Sequence, residues 1–252
     1  MSRTAGFFDQ WYAEMGRSRT RDQIARRALG LPSDMDVSGV LPWTGVAEVA
    51  AALNLAPGQL LVDLGCGRGG YSLEIARQTG ARLLGLDFSP VAVAAAASRT
   101  ASADIAGPAA FCVGTITAAG VGTGAADAVV CIDTIMFAGA PLDALRECHR
   151  ILAAGGRLVL TSWEATNLAD ERLPQWARRL DLIRDLTKAG FEQVHVTDKP
   201  AWREAERNLW ESVVQANATG DPAIESFKEE ARHALDLFDS SRRVCATATS
   251  PG

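Results

Sequence analysis

The chain lacks the marks of several protein classes. Its five cysteines (Cys66, Cys112, Cys131, Cys148 and Cys245) form no C-x-x-C pair, and none has a histidine at metal-ligand spacing. Neither a zinc site nor a disulfide framework is expected, and no metal is assigned. Cys66, Cys112, Cys131 and Cys148 fall in apolar or glycine-rich surroundings, which suits small core residues in a reducing compartment. No apolar run reaches membrane-spanning length, and the opening Met1-Ser-Arg-Thr-Ala-Gly-Phe-Phe-Asp9 has no signal-like stretch. The expectation is a soluble, cytoplasmic protein without a membrane partner. Positive charge is in deficit too, with 25 Lys and Arg against 30 Asp and Glu. A net charge of -5 argues against nucleic acid as a partner. No internal repeat or heptad is visible, so nothing specifies an oligomeric state.

What is present is an ordinary globular composition, 48% apolar and 22% charged over 252 residues, enough to bury a large core unaided. Residues 1–45 are polar and Arg-rich and are expected to form an N-terminal helical cap segment. Residues 46–199 alternate short apolar runs with helical segments, the pattern of a mostly parallel sheet covered on both faces. Strands are predicted at Leu60–Leu64, Arg82–Asp87, Ala110–Gly114, Asp127–Ile132, Arg157–Ser162 and Phe191–Thr197. Helices are predicted through Tyr71–Gln78, after Ser89-Pro90, over Leu142–Leu152 and over Pro174–Ala189. Residues 200–241 read as a second helical cap, with helices at Trp202–Ala218 and Pro222–Phe238. Residues 242–252 hold a final strand, Arg243–Thr249, and a tail. The fold class is α/β, Rossmann-like and doubly wound.

The chemistry concentrates in Val62-Asp-Leu-Gly-Cys-Gly-Arg-Gly-Gly70. Glycines at 65, 67 and 69 let the backbone pass close to a ligand, and the next helix offers free N–H groups in its first turn. Asp87 ends the second strand 17 positions after Gly70, where a carboxylate accepts hydrogen bonds from ribose hydroxyls. Loop and acid together indicate an adenosine-containing cofactor. Gly65, Gly67 and Gly70 also satisfy the dinucleotide pattern, so a nicotinamide cofactor stays open at this point. Asp63 separates the two: beside the loop it repels a pyrophosphate and favours an ammonium and a sulfonium.

Val-Asp-Leu-Gly-Cys-Gly-Arg-Gly (62–69), Gly-Leu-Asp-Phe-Ser-Pro (85–90), Asp-Ala-Val-Val-Cys-Ile-Asp (127–133) and Leu-Arg-Glu-Cys-His-Arg-Ile-Leu-Ala-Ala-Gly-Gly-Arg-Leu-Val-Leu (145–160) resemble successive motifs of the class I S-adenosylmethionine-dependent methyltransferases. The nearest flavour is their bacterial small-molecule branch, with quinone-biosynthesis and natural-product enzymes. The resemblance implies a seven-stranded sheet with its last strand antiparallel, and S-adenosyl-L-methionine as cofactor. It puts Asp63 and the backbone at Gly65, Cys66 and Gly67 against the methionine part, Asp87 on the ribose, and Phe88 beside the adenine. Where the family often has Gly-Asp after strand three, this chain has Gly114-Thr115, so adenine is expected at Thr115 and Ile116. Asp133 would line the sulfonium and acceptor side.

Displacement at a sulfonium needs positioning and dryness more than a catalytic dyad. All six tryptophans (Trp11, Trp43, Trp163, Trp176, Trp202 and Trp210) lie outside 44–162, which suggests an aromatic cap; the plainer alternative is that they staple peripheral helices to the core. Tyr12 and Trp43 are the candidates for cofactor or substrate contact. Asp133 and His195 are the candidate catalytic residues, Asp133 from its motif and His195 from alternation near the end of strand six. His149 reads as structural and His233 as solvated. The arginines from Arg17 to Arg27 either attract an acidic substrate or form a solvated helix face around Asp22. The function expected is methyl transfer to a small organic acceptor. The alternatives are an NAD(P)-dependent oxidoreductase and a non-catalytic S-adenosylmethionine-binding module.

Overall fold

The computed structural model describes residues 5–217 and 220–252; Ala218, the end of one expected helix, lies outside them. Two N-terminal helices, α1 (Ala5–Met15) and α2 (Arg19–Leu29), precede α3 (Trp43–Leu53). The central alternation follows as β1 (Leu60–Leu64), α4 (Gly70–Thr79), β2 (Arg82–Asp87), α5 (Pro90–Thr100), β3 (Ala109–Val113) and β4 (Ala126–Ile132). Then come α6 (Pro141–Ile151), β5 (Leu152–Ala165), α7 (Gln175–Arg179), α8 (Leu182–Ala189) and β6 (Glu192–Asp198). The chain closes with α9 (Pro200–Gln215), α10 (Pro222–Asp236) and β7 (Ser241–Thr249).

The seven strands form one sheet in the order β3-β2-β1-β4-β5-β7-β6. Pairing is parallel from β3 across to β5, while β7 runs antiparallel between β5 and β6. Period-2 alternation sorts the side chains between two cores. Leu61, Ala128, Val130 and Val159 face α2, α3, α4 and α9, whereas Val62, Val129, Cys131 and Leu160 face α6 and α8. Chain order reverses between β1 and β4, the switch point at which open α/β sheets bind ligands.

Three expectations change. The helix expected over 174–189 is two, because the Asp181 carboxylate accepts from Arg184 N–H at 2.9 Å and caps a new start, with Leu180 extended before it. The fifth strand starts at Leu152, not Arg157, carrying an irregular register through Gly155-Gly156. Cys112 is exposed on the edge strand β3, unlike buried Cys131 and Cys148, since an edge strand has one uncovered side.

Candidate functional site

At the carboxyl end of β1 the loop is fixed by backbone: Gly65 and Cys66 N–H both donate to Leu86 O, at 2.7 and 2.9 Å. Gly67 has φ +54°, and a Cβ there would stand 2.9 Å from Ser38 Oγ and 3.2 Å from Tyr12 Oη. Only glycine lets the backbone turn this way under that cover. No side chain caps the following helix α4, so its first-turn N–H groups stay available to a ligand.

Two carboxylates flank the loop, both buried. Asp87 accepts from Gly67 N–H and Ser89 N–H, each at 2.9 Å, leaving further lone pairs for hydroxyl donors. Asp63 accepts from Ser72 Oγ at 2.5 Å through Oδ2, while its buried Oδ1 has no partner. Burial, with Asp87 nearby, pushes the Asp63 carboxyl up to about 7. A cationic ligand would restore its ionised form.

These groups line one cavity of about 1150 Å³, open mouth included. Asp63, Gly65, Cys66, Gly67, Asp87, Phe88, Tyr12 and Asp133 all reach it. Phe88 packs edge-on against Phe8 of α1, which also meets Phe137. Beyond the loop the wall turns aromatic with Trp163, Trp210 and Phe227, which come from β5, α9 and α10.

Four expected residues do not line this cavity. Thr115 is exposed and bridges to Ala118, and Ile116 packs into the core beneath β4 and β5. Trp43 opens α3 and packs into the other core, after the chain has already crossed the site at 37–40. His195 lies exposed on the edge strand β6, its Nδ1 2.7 Å from Gln193 O. The alternation that suggested an inward direction has the opposite sense there.

Asp133 is held by several partners. It reaches the cavity wall, but its Oδ1 accepts from Thr161 Oγ1 at 2.6 Å and from Arg243 at 2.5 Å, and its Oδ2 accepts from Val40 N–H at 2.9 Å. A carboxylate so engaged clamps the end of β4 to β7 and to the segment at Val40. Its φ of +54° is held by these same bonds.

Several contacts at the site escaped sequence reasoning. Arg68, inside the glycine motif, turns back to grip Asp22 of α2 through both oxygens, at 3.1 and 2.7 Å, and Val37 O at 2.8 Å. It ties the N-terminal segment down over the loop. Trp163 and Trp210 donate their indole N–H to buried Glu206, and the Arg243 guanidinium lies 4.0 Å from the Trp163 ring centre. The tryptophans therefore divide: Trp11, Trp163 and Trp210 line the cavity, while Trp202 is core.

The sheet order and the acid-flanked glycine turn define the fold of the class I S-adenosylmethionine-dependent methyltransferases. A dinucleotide sheet runs 3-2-1-4-5-6, without an antiparallel strand inserted before the last, which sets the oxidoreductase alternative aside. Residues 62–160 match the family described as a methyltransferase domain. Tocopherol O-methyltransferase, chloroplastic, of Arabidopsis thaliana is 26% identical over 178 residues, covering 63% of this chain and 50% of that protein. The chain spans about half the length of the curated relatives it matches. Among solved structures, the [4+2]-cyclase SpnF superposes with a TM-score of 0.78 at 22% identity, covering 100% of this chain and 97% of that one. Phosphoethanolamine N-methyltransferase 2 of Haemonchus contortus, solved with phosphomonomethylethanolamine and S-adenosylhomocysteine, gives 0.74 at 18% identity, covering 96% of this chain and 60% of that one. Such identities establish the fold alone.

Proposed function

We propose that the protein is an S-adenosylmethionine-dependent methyltransferase acting on a small organic acceptor with a largely apolar body. The observation that carries it is Asp63: a buried carboxylate with one unpartnered oxygen, beside a glycine turn, in a cavity that also holds Asp87. The fit to the cofactor is chemical. Asp63 would hold the ammonium, the Gly65–Gly67 backbone would run along the methionine part, and Asp87 would take the ribose hydroxyls. The cofactor supplies an electrophilic methyl group on a positively charged sulfur.

The chain's own residues supply position and dryness. Helices α1, α2, α9 and α10 close over the strand ends, and we assign residues 1–45 and 200–241 the role of cap. Trp163, Trp210 and Phe227 exclude water and orient a flat or extended acceptor. With Asp133 committed to Arg243 and His195 at the sheet edge, we assign neither a proton-transfer role. An acceptor that is already nucleophilic at the reacting atom suits this site best.

Among the described residues no helix is long and apolar enough to cross a membrane, and the five cysteines are free. Both suit the cytoplasmic setting we propose, and the acidic balance suits an enzyme without a nucleic-acid partner. A natural-product or quinone-like acceptor fits the apolar wall. The likeness to a cyclase keeps one further reading in play, a cofactor-binding fold put to other use. Transfer of labelled methyl from S-adenosylmethionine across a panel of phenols, enols and amines decides between them. Label in an acceptor supports the proposal; cofactor binding without any transfer across the panel sinks it.

A further inference from the structure

The acceptor end of the cavity holds one cation. Arg21 of α2 lines it and is only 4% exposed. Its guanidinium lies 4.3 Å from the Phe227 ring centre and 5.5 Å from that of Trp11. A buried guanidinium usually meets a carboxylate squarely, through two short bonds. Arg21 does not: its side-chain bond to Asp22 is 3.4 Å long, because Asp22 is gripped by Arg68 at 2.7 and 3.1 Å. Desolvation and the nearby Arg68 charge pull the Arg21 pKa down to about 10, so its charged form is under-compensated where it stands. Much of a five-donor fork is thus left over at the cavity wall.

We propose that Arg21 is a specificity-determining residue that receives a single acidic group, a carboxylate or its equivalent, of an acceptor whose apolar body lies along Trp163, Leu209, Trp210 and Phe227. This rests on reading the cavity as a methyl-transfer site. The surroundings narrow the class. An amine acceptor, which an aromatic box would otherwise attract, meets Arg21 already stacked on Phe227 and Arg243 already behind Trp163. Glu230, on the same wall, exerts its negative charge on Arg21, which opposes a multiply charged acceptor. A monoanion with a flat or isoprenoid body is the complement that remains.

The test is calorimetry on the full chain saturated with S-adenosylhomocysteine. Each acid is matched with its alcohol: 1-naphthoate with 1-naphthalenemethanol, indole-3-acetate with indole-3-ethanol, geranate with geraniol. At least one acid is expected to bind tenfold or more tighter than its alcohol. Arg21→Met should erase that preference while leaving alcohol and S-adenosylhomocysteine affinities within twofold, and Arg21→Lys should restore part of it. The proposal is overturned if no acid is preferred, or if the preference survives in Arg21→Met. The wild-type comparison needs no variant, so it decides the matter even if Arg21→Met fails to fold. Failure of the underlying methyltransferase reading shows separately, as no binding of S-adenosylhomocysteine in the first titration.

Discussion

Asp133 and Arg243, 110 positions apart, form an ion pair with Nη2 2.5 Å from Oδ1, and neither side chain is more than 4% exposed. The pair joins the end of β4 to β7 across β5, which separates them in the sheet. It also pins Val40, and with it the strand of chain that crosses the loop. Removing one partner leaves the other charged and buried. Asp133→Asn or Arg243→Met is expected to cost about 3–5 kcal/mol in urea unfolding. The double variant should cost less than the sum of the two, because the shared Asp133–Arg243 bond is lost only once, even though Glu206, 3.8 Å from Arg243, also loses its cationic neighbour. Full additivity would show that the pair is not coupled.

On the proposed assignment of the ammonium to Asp63, cofactor binding depends on pH. Its carboxyl titrates near 7 in the folded chain, against about 3.9 unfolded. Between those values the folded state holds the extra proton, so the apo protein loses stability as pH rises from about 4 to 7. An ammonium beside Asp63 requires the ionised form, so binding releases that proton. Affinity for S-adenosylhomocysteine should fall about tenfold per pH unit below about 7, and Asp63→Asn should flatten the dependence. A flat wild-type profile from pH 5.5 to 8 would remove Asp63 from the ammonium site.

Gly67→Ala combines an unfavourable φ with a Cβ facing Ser38 and Tyr12. A left-handed non-glycine residue costs about 1–2 kcal/mol, and the displaced cover sits where the cofactor would pass. We expect a modest drop in melting temperature and at least a tenfold loss of S-adenosylhomocysteine affinity. Retained affinity with retained stability would mean the loop is looser than it stands here.

His195→Ala should do nothing measurable to methyl transfer and change stability by no more than about 0.5 kcal/mol, as for other exposed substitutions. A large loss of turnover would contradict its place on the sheet edge.

Exposed Cys112 should react with a thiol reagent well before Cys148, which burial pushes up to about 12. Mass spectrometry after brief labelling reads the order directly.

What the sequence made legible was local. Asp63, the glycines and Asp87 sit within 25 residues, and each follows from a strand ending in a turn. The sheet covered on both faces followed from short apolar runs alternating with helical segments, and Arg243–Thr249 read as a final strand whose antiparallel direction came only from the family resemblance. The rest depended on which strands become neighbours. Asp133 looked like a base because its motif position was visible and its partner, 110 residues away on β7, was not. Arg68 drew no separate reading inside the glycine motif, since its partner Asp22 is 46 positions earlier. The Arg17–Arg27 segment split along one helix face: Arg21, one turn before Ala25 and two before Leu29, turned inward with them, while Arg17, Arg19 and Arg27 stayed exposed. Thr115 and Ile116 were aligned by counting from β3, and a tight Thr115–Ala118 bridge carried them away from the cavity wall.

The most direct trial is a crystal structure of the full chain with S-adenosylhomocysteine bound. The account predicts density along Gly65–Gly67, with the amino group on the Asp63 oxygen that now lacks a partner and the ribose hydroxyls on Asp87. A ligand bound elsewhere, or one whose amino group and ribose leave both aspartates untouched, would contradict it.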